Sequence, residues 1–243
     1  MELTEIQIRH LREGLDIYKE KRQGLHAKAS DLEKEAAEIK EIFKKPNNKR
    51  SSELNKIKHF LEDVEKWKIP GSDYRVPKLD NEIIGDAINE TIKHLEQGSV
   101  FANERNALLT IMRLEGFGGG SGTCKLASAV LRFLAPKDWG VVDWRNASML
   151  QRFDKYEWDI QKASSFDHYV DNKEAAYFKC KPTNIKECHK LEHMEKHNYK
   201  IISPYEAIGY NHMYRMIRDQ SNDVFKTAAQ VDMAIFGLSL LLW

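Results

Sequence analysis

Only three cysteines (Cys124, Cys180 and Cys188) occur among 243 residues, too few and of the wrong parity for a disulfide framework. That excludes the small disulfide-stapled secreted class. It favours a reducing, intracellular setting: cytoplasmic and, in a bacterium, alongside the nucleoid. Long hydrophobic runs are missing too. The longest apolar stretch, Ala234–Trp243, is interrupted by Gly237 and Ser239 and is about half of what a bilayer span requires. A soluble protein with no membrane partner is expected. Charge of one sign is missing as well, since 38 Lys+Arg stand against 37 Asp+Glu. No global field draws this chain to a polyanion, so nucleic-acid contact has to come from a local patch. Strand-like alternation is absent, and Val141-Val142 is too short to be more than an extended linker.

What is present is helical periodicity, and the expected fold class is all-α. In Glu5–Lys45 apolar residues from Ile6 through Leu11, Leu15, Tyr18, Leu25, Leu32 and Ile39 to Phe43 recur at three- and four-residue spacing between charged ones. The spacing predicts a long amphipathic helix or an antiparallel pair broken near Gly24. A further helix is expected over Ser52–Lys68, with Ser51 or Ser52 as its cap. Breakers crowd Ile69–Pro77, the expected boundary between an N-terminal helical arm (1–68) and the main domain (69–243). Helices are then expected over Asn81–Gln97 and from Asn103 to Leu114.

Glycine is scarce except in one place: Gly116, Gly118, Gly119, Gly120 and Gly122 fall within seven residues. Residues without a Cβ permit positive φ and let a bulky partner approach the backbone amides. The helix expected next, Thr123–Leu134, points its free N–H groups and positive dipole end at that turn, making an anion site suited to phosphate. A Walker loop is excluded because Lys125 follows Cys124 and precedes Leu126. A G-x-G-x-x-G fingerprint is excluded because Ser121 stands where its last glycine belongs, and no strand leads in. A hairpin between two helices that grips a DNA backbone fits best.

Two side chains nearby carry chemistry. Lys125 lies in the first turn of its helix, where the dipole disfavours a cation. That field and partial burial lower its pKa below the ordinary ~10.4 and supply a neutral amine. It shares a helix side with Ala129 and Arg132, beside the Leu126, Val130 and Phe133 core face. Asp143 opens the helix Asp-Trp-Arg-Asn-Ala as a preferred N-cap. A helix, a Pro-containing turn and two apolar residues separate it from Lys125, which lets both face one groove. An amine and a carboxylate beside a phosphate site suit a sugar carbon, where the carboxylate stabilises an oxocarbenium-like transition state.

Over Leu114–Leu150 the chain resembles the helix-hairpin-helix DNA glycosylase superfamily of the endonuclease III and 8-oxoguanine glycosylase type. The resemblance rests on Leu114-Glu115-Gly116-Phe117-Gly118, Lys125-Leu126-Ala127, Pro136 and Val141-Val142-Asp143. It implies a helix-hairpin-helix glycosylase-like fold acting on duplex DNA with a damaged or modified base. Lys125 would then attack the deoxyribose C1′ and Asp143 assist, with the base flipped into a pocket. Strand cleavage by β-elimination could follow. Gly116, Gly118, Gly119, Gly120, Gly122, Thr123, Lys137 and Arg145 would hold DNA phosphates, and Phe117, Trp139 and Trp144 are the nearest candidates for the base pocket. The family's four-cysteine iron–sulphur loop is absent, and no cofactor is expected.

An aromatic-rich segment, Asp154–Lys200, reads as an insertion (Tyr156, Trp158, Phe166, Tyr169, Tyr177, Phe178). Its Cys180, Cys188, His189, His193 and His197 lack the tight Cys-x2–4-Cys knuckle of structural zinc sites, so no metal is expected. Two other functions remain open: a non-catalytic hairpin module that binds DNA, and an interaction protein working through its N-terminal helices.

Overall fold

The computed structural model describes residues 3–45, 51–71, 74–117, 124–152, 204–221 and 223–240. The insertion at 154–200, with its cysteines and histidines, lies outside the described residues. Among those described there are nine α-helices and no strand: α1 Glu5–Lys21, α2 Gln23–Phe43, α3 Ser51–Lys68, α4 Asn81–Glu96, α5 Phe101–Met112, α6 Lys125–Leu134, α7 Trp144–Arg152, α8 Pro204–Gln220 and α9 Ala228–Ser239. None of the described helices is long and apolar enough to cross a membrane.

A capping box starts α1. The Gln7 N–H donates to Thr4 Oγ1 at 3.2 Å, and the Thr4 N–H donates to Gln7 Oε1 at 2.9 Å. The helix stops at Arg22, whose φ of −130° and ψ of 35° are not helical. Because α2 resumes at once, the long amphipathic stretch is two helices, broken two residues before Gly24. The termini of α3, α4, α5 and α6 fall within two residues of those the sequence predicts.

Helices α1, α2 and α3 pack into the same core as the later described helices. Leu11, Leu15 and Tyr18 of α1 and Leu32, Ala36 and Ile39 of α2 join one buried cluster with Leu126, Val130 and Phe133 of α6 and Ile235 of α9. The first helix lies along the last, and α2, α3 and α5 surround α6. Two glycines set the first of these contacts. A Cβ on Gly237 would collide with the Gly14 carbonyl, and one on Gly14 would strike the Ala234 carbonyl. The stretch after α3 is bound to it. Glu65, buried, accepts the Arg75 N–H at 2.9 Å and the Val76 N–H at 3.1 Å. A carboxylate that takes two backbone N–H groups fixes the loop and spares both donors a desolvation cost.

Candidate active site

Gly140–Val142 belongs to no helix or sheet, so side chains must satisfy its backbone. Gly140 N–H donates to Asn211 Oδ1 at 3.0 Å, Val141 N–H to Asp232 Oδ2 at 3.0 Å and Val142 N–H to Ser128 Oγ at 3.0 Å. The Val141 carbonyl accepts from the Tyr214 hydroxyl at 2.9 Å and from the Asn146 amide at 3.1 Å. Helices α6, α7, α8 and α9 thus each contribute a side chain that fixes the approach to Asp143.

Asp143 Oδ1 caps α7, accepting the Arg145 N–H at 3.1 Å and the Asn146 N–H at 3.2 Å. Its Oδ2 accepts a 2.6 Å ion-pair hydrogen bond from Lys68, the last residue of α3, with side chains 10% (Lys68) and 7% (Asp143) exposed. Burial pushes the Asp143 carboxyl up. The charge and hydrogen bond of Lys68, the Asn146 N–H and the charge of Lys125 more than offset this, and its pKa lies below the usual carboxylate value. Lys125 is half-buried at the first position of α6, behind a Cys124 that supplies no side-chain cap. Burial and then the charge of Lys68 lower its pKa, with Asp143 acting the other way and Arg145 lowering it further.

Lys68, Lys125 and Asp143 line one cavity of about 390 Å³, within the range typical of small-molecule sites. Tyr18, Leu25, Trp67, Met233 and Phe236 form its apolar wall, and Arg145 and Asp232 add charge. The aromatic rings are fixed: the Trp67 indole donates to the Leu25 carbonyl at 3.0 Å and meets Phe133 edge-on, while Phe236 meets Tyr18 edge-on and has the Arg145 guanidinium 5.8 Å from its centroid. Asp232 is fully buried. Desolvation raises its carboxyl pKa to about 6 against the lowering effects of the Val141 N–H, Arg132 and Lys68.

Of the residues singled out from sequence, Lys125, Asp143 and Arg145 come together at this cavity. Gly116 takes the positive φ, +92°, that the turn after α5 requires, and the Arg75 side chain lies against it. Gly118, Gly119, Gly120, Gly122 and Thr123 lie outside the described residues, as does the side chain of Trp144. The other three are elsewhere. Phe117 and Trp139 are core residues, each 1% exposed and away from the cavity lining. Lys137 lies beyond the far end of α6, about 15 Å of helix from Lys125. Its carbonyl accepts the Ala228 N–H at the start of α9, while its side chain is exposed.

Arg132 also departs from expectation. Helix α6 is enclosed on several sides, so Arg132 is 0% exposed, paired with Glu33 at 2.9 Å and lying over the Phe133 ring at 4.4 Å. Sequence reasoning missed Lys68, Trp67 and Asp232. Lys68 and Trp67 end an ordinary amphipathic helix far from the motif, and Asp232 interrupts an apolar one. That buried aspartate was the only available signal. Among the described residues no cluster of His, Cys, Asp and Glu is arranged to hold a metal.

Comparison with protein-family models, with curated proteins and with solved structures returned no match.

Proposed function

We propose that the protein is a DNA glycosylase that excises a damaged or modified base, with Lys125 as nucleophile and Asp143 as the electrostatic partner of the reacting sugar. One observation carries this reading: an amine of lowered pKa and an ionised carboxylate line the same aromatic-walled cavity. An amine is nucleophilic only when unprotonated, and a fixed carboxylate stabilises the cationic sugar that forms as the base departs.

The step balances as follows. The Lys125 nitrogen forms a bond to C1′ as the N-glycosidic bond breaks, and the base leaves with that electron pair. The proton shed by the attacking nitrogen goes to the departing base through water. Opening of the sugar ring leaves an imine between Lys125 and C1′, from which β-elimination of the 3′ phosphate can proceed. The flipped base would stand among Trp67, Tyr18, Met233 and Phe236. Arg75 against Gly116, and Arg145 at the cavity, would supply the positive groups for DNA phosphate.

The test is base release from duplexes that each carry one damaged or modified base, followed by chromatography of the freed base. Wild type should release one class of base, and Lys125→Gln should release none. If no duplex loses its base while DNA still binds, the protein is a hairpin binding module without catalysis.

A further inference from the structure

A lysine beside a carboxylate poses a problem for the proposed chemistry. The carboxylate favours the ammonium, the wrong form for attack. A carboxylate offers about four acceptor sites, and in Asp143 three donors occupy them: the Arg145 and Asn146 N–H groups on Oδ1 and the Lys68 ammonium on Oδ2. Lys68 and Asp143 form a buried ion pair, and among the described residues no hydrogen bond joins Asp143 to Lys125.

We propose that Lys68 is the positioning residue of this site. By occupying Asp143 it keeps that carboxylate a fixed charge rather than a proton acceptor, and it leaves Lys125 as the cavity's nucleophilic amine. The proposal rests on the glycosylase reading for its purpose, but not for its test. Of the groups facing Lys125, the cations Lys68 and Arg145 disfavour its ammonium form and the Asp143 carboxylate favours it. Lys68 comes from α3, and Arg145 and Asp143 come from α7 and its cap. Around the same cavity stand Arg22 at the α1–α2 junction, Asp232 from α9, and Tyr18 from α1. Burial pushes the Tyr18 hydroxyl up to about 12, so it stays neutral. A second ammonium close to the first disfavours two charges in one cavity. Asp143 hydrogen-bonds Lys68 and acts on Lys125 through its charge alone.

The experiment is competitive labelling of lysines with acetic anhydride across pH 6–11, with the Lys125 peptide read by mass spectrometry in the full chain without DNA. In wild type the Lys125 labelling limb should lie acid of an exposed lysine's. In Lys68→Met it should move alkaline by about one pH unit, a roughly tenfold loss of reactivity at neutral pH. Lys68→Arg, which keeps the charge, should retain the wild-type limb. Lys68→Gln keeps a donor for Asp143 without the charge, and it serves if Lys68→Met fails to fold; the same alkaline shift is expected. An unmoved limb in a folded neutral variant overturns the proposal, since a purely structural lysine would change yield but not pH dependence. Base release is scored separately. If labelling shifts and no base is ever released, the glycosylase reading falls and the role of Lys68 stands.

Discussion

The Asp232 carboxylate and the Asn146 side-chain amide are hydrogen-bonded to each other although 86 positions separate them in the chain. Asp232 also takes the Val141 N–H at 3.0 Å, so one buried carboxylate of α9 holds both sides of the turn that presents Asp143. Burial of the ionised carboxylate costs stability at neutral pH. A carboxyl raised to about 6 from an unfolded value near 4 binds more protons folded than unfolded between those pH values. Its stabilising contribution is therefore complete below about pH 4 and is lost as pH rises through 6.

Asp232→Asn removes that titration. In urea unfolding at pH 4 and pH 7, the wild-type-minus-variant stability difference should change by as much as about 3 kcal/mol in the direction that favours the variant at pH 7. A pH-independent difference would show that Asp232 does not titrate in this window. Asp143 has the opposite linkage. Its pKa is depressed, so its contribution is present above the unfolded value and is lost as acid protonates it.

Lys125 should also be costly to keep. Its folded pKa is lowered chiefly by burial, so the folded state binds fewer protons than the unfolded one between the two values. The penalty is full below the folded pKa and disappears above the unfolded one. Lys125→Met should consequently raise the thermal midpoint at neutral pH, and the gain should shrink toward pH 11. A lower midpoint at every pH would mean that the ammonium is structurally paired. Stabilisation on removing a buried functional group is the usual sign of an active-site residue.

Gly237→Ala probes the contact between the first and last helices. The new methyl meets the Gly14 backbone, which cannot rotate away as a side chain could. Overpacking of this kind costs about 1–3 kcal/mol. Because α1 carries Tyr18 and α9 carries Asp232, Met233 and Phe236, the cavity should loosen with it. Denaturant unfolding checks the stability, and duplex binding the second effect. Wild-type stability would show that the helices slide apart without loss.

Much of the helical frame was legible in the sequence because amphipathic spacing acts locally, over one or two turns. Lys125, Asp143 and Arg145 were legible as well, since motif spacing brings them to one end of α6. Lys68 and Trp67 were not. They reach the cavity only because α3 packs on α6, where Trp67 meets Phe133, and because Lys68 pairs with Asp143, 75 positions away, contacts that no local pattern encodes. Phe117 and Trp139 were misplaced for a related reason. Proximity along the chain to a motif does not decide which way an aromatic points, and both turn into the core. Deletion of residues 1–68 would remove Tyr18, Arg22, Leu25, Trp67 and Lys68 from the cavity lining.

Phe236 tests the assignment of the base pocket. Stacking of a base on an aromatic ring contributes about 1–3 kcal/mol, so Phe236→Ala should raise the Kd for a lesion duplex about 5- to 150-fold. Affinity for an unmodified duplex should stay near wild type, as measured by fluorescence anisotropy. Equal losses on both duplexes would assign Phe236 to the DNA surface rather than to the flipped base.

Sodium borohydride trapping on lesion-bearing and abasic duplexes addresses the central claim most directly. Reduction fixes an imine between the protein and C1′ as a stable adduct that gels resolve. Wild type should give an adduct whose cross-linked peptide contains Lys125, and Lys125→Gln should give none. An adduct that persists in Lys125→Gln, or that maps to Lys68, would contradict the assignment of the nucleophile.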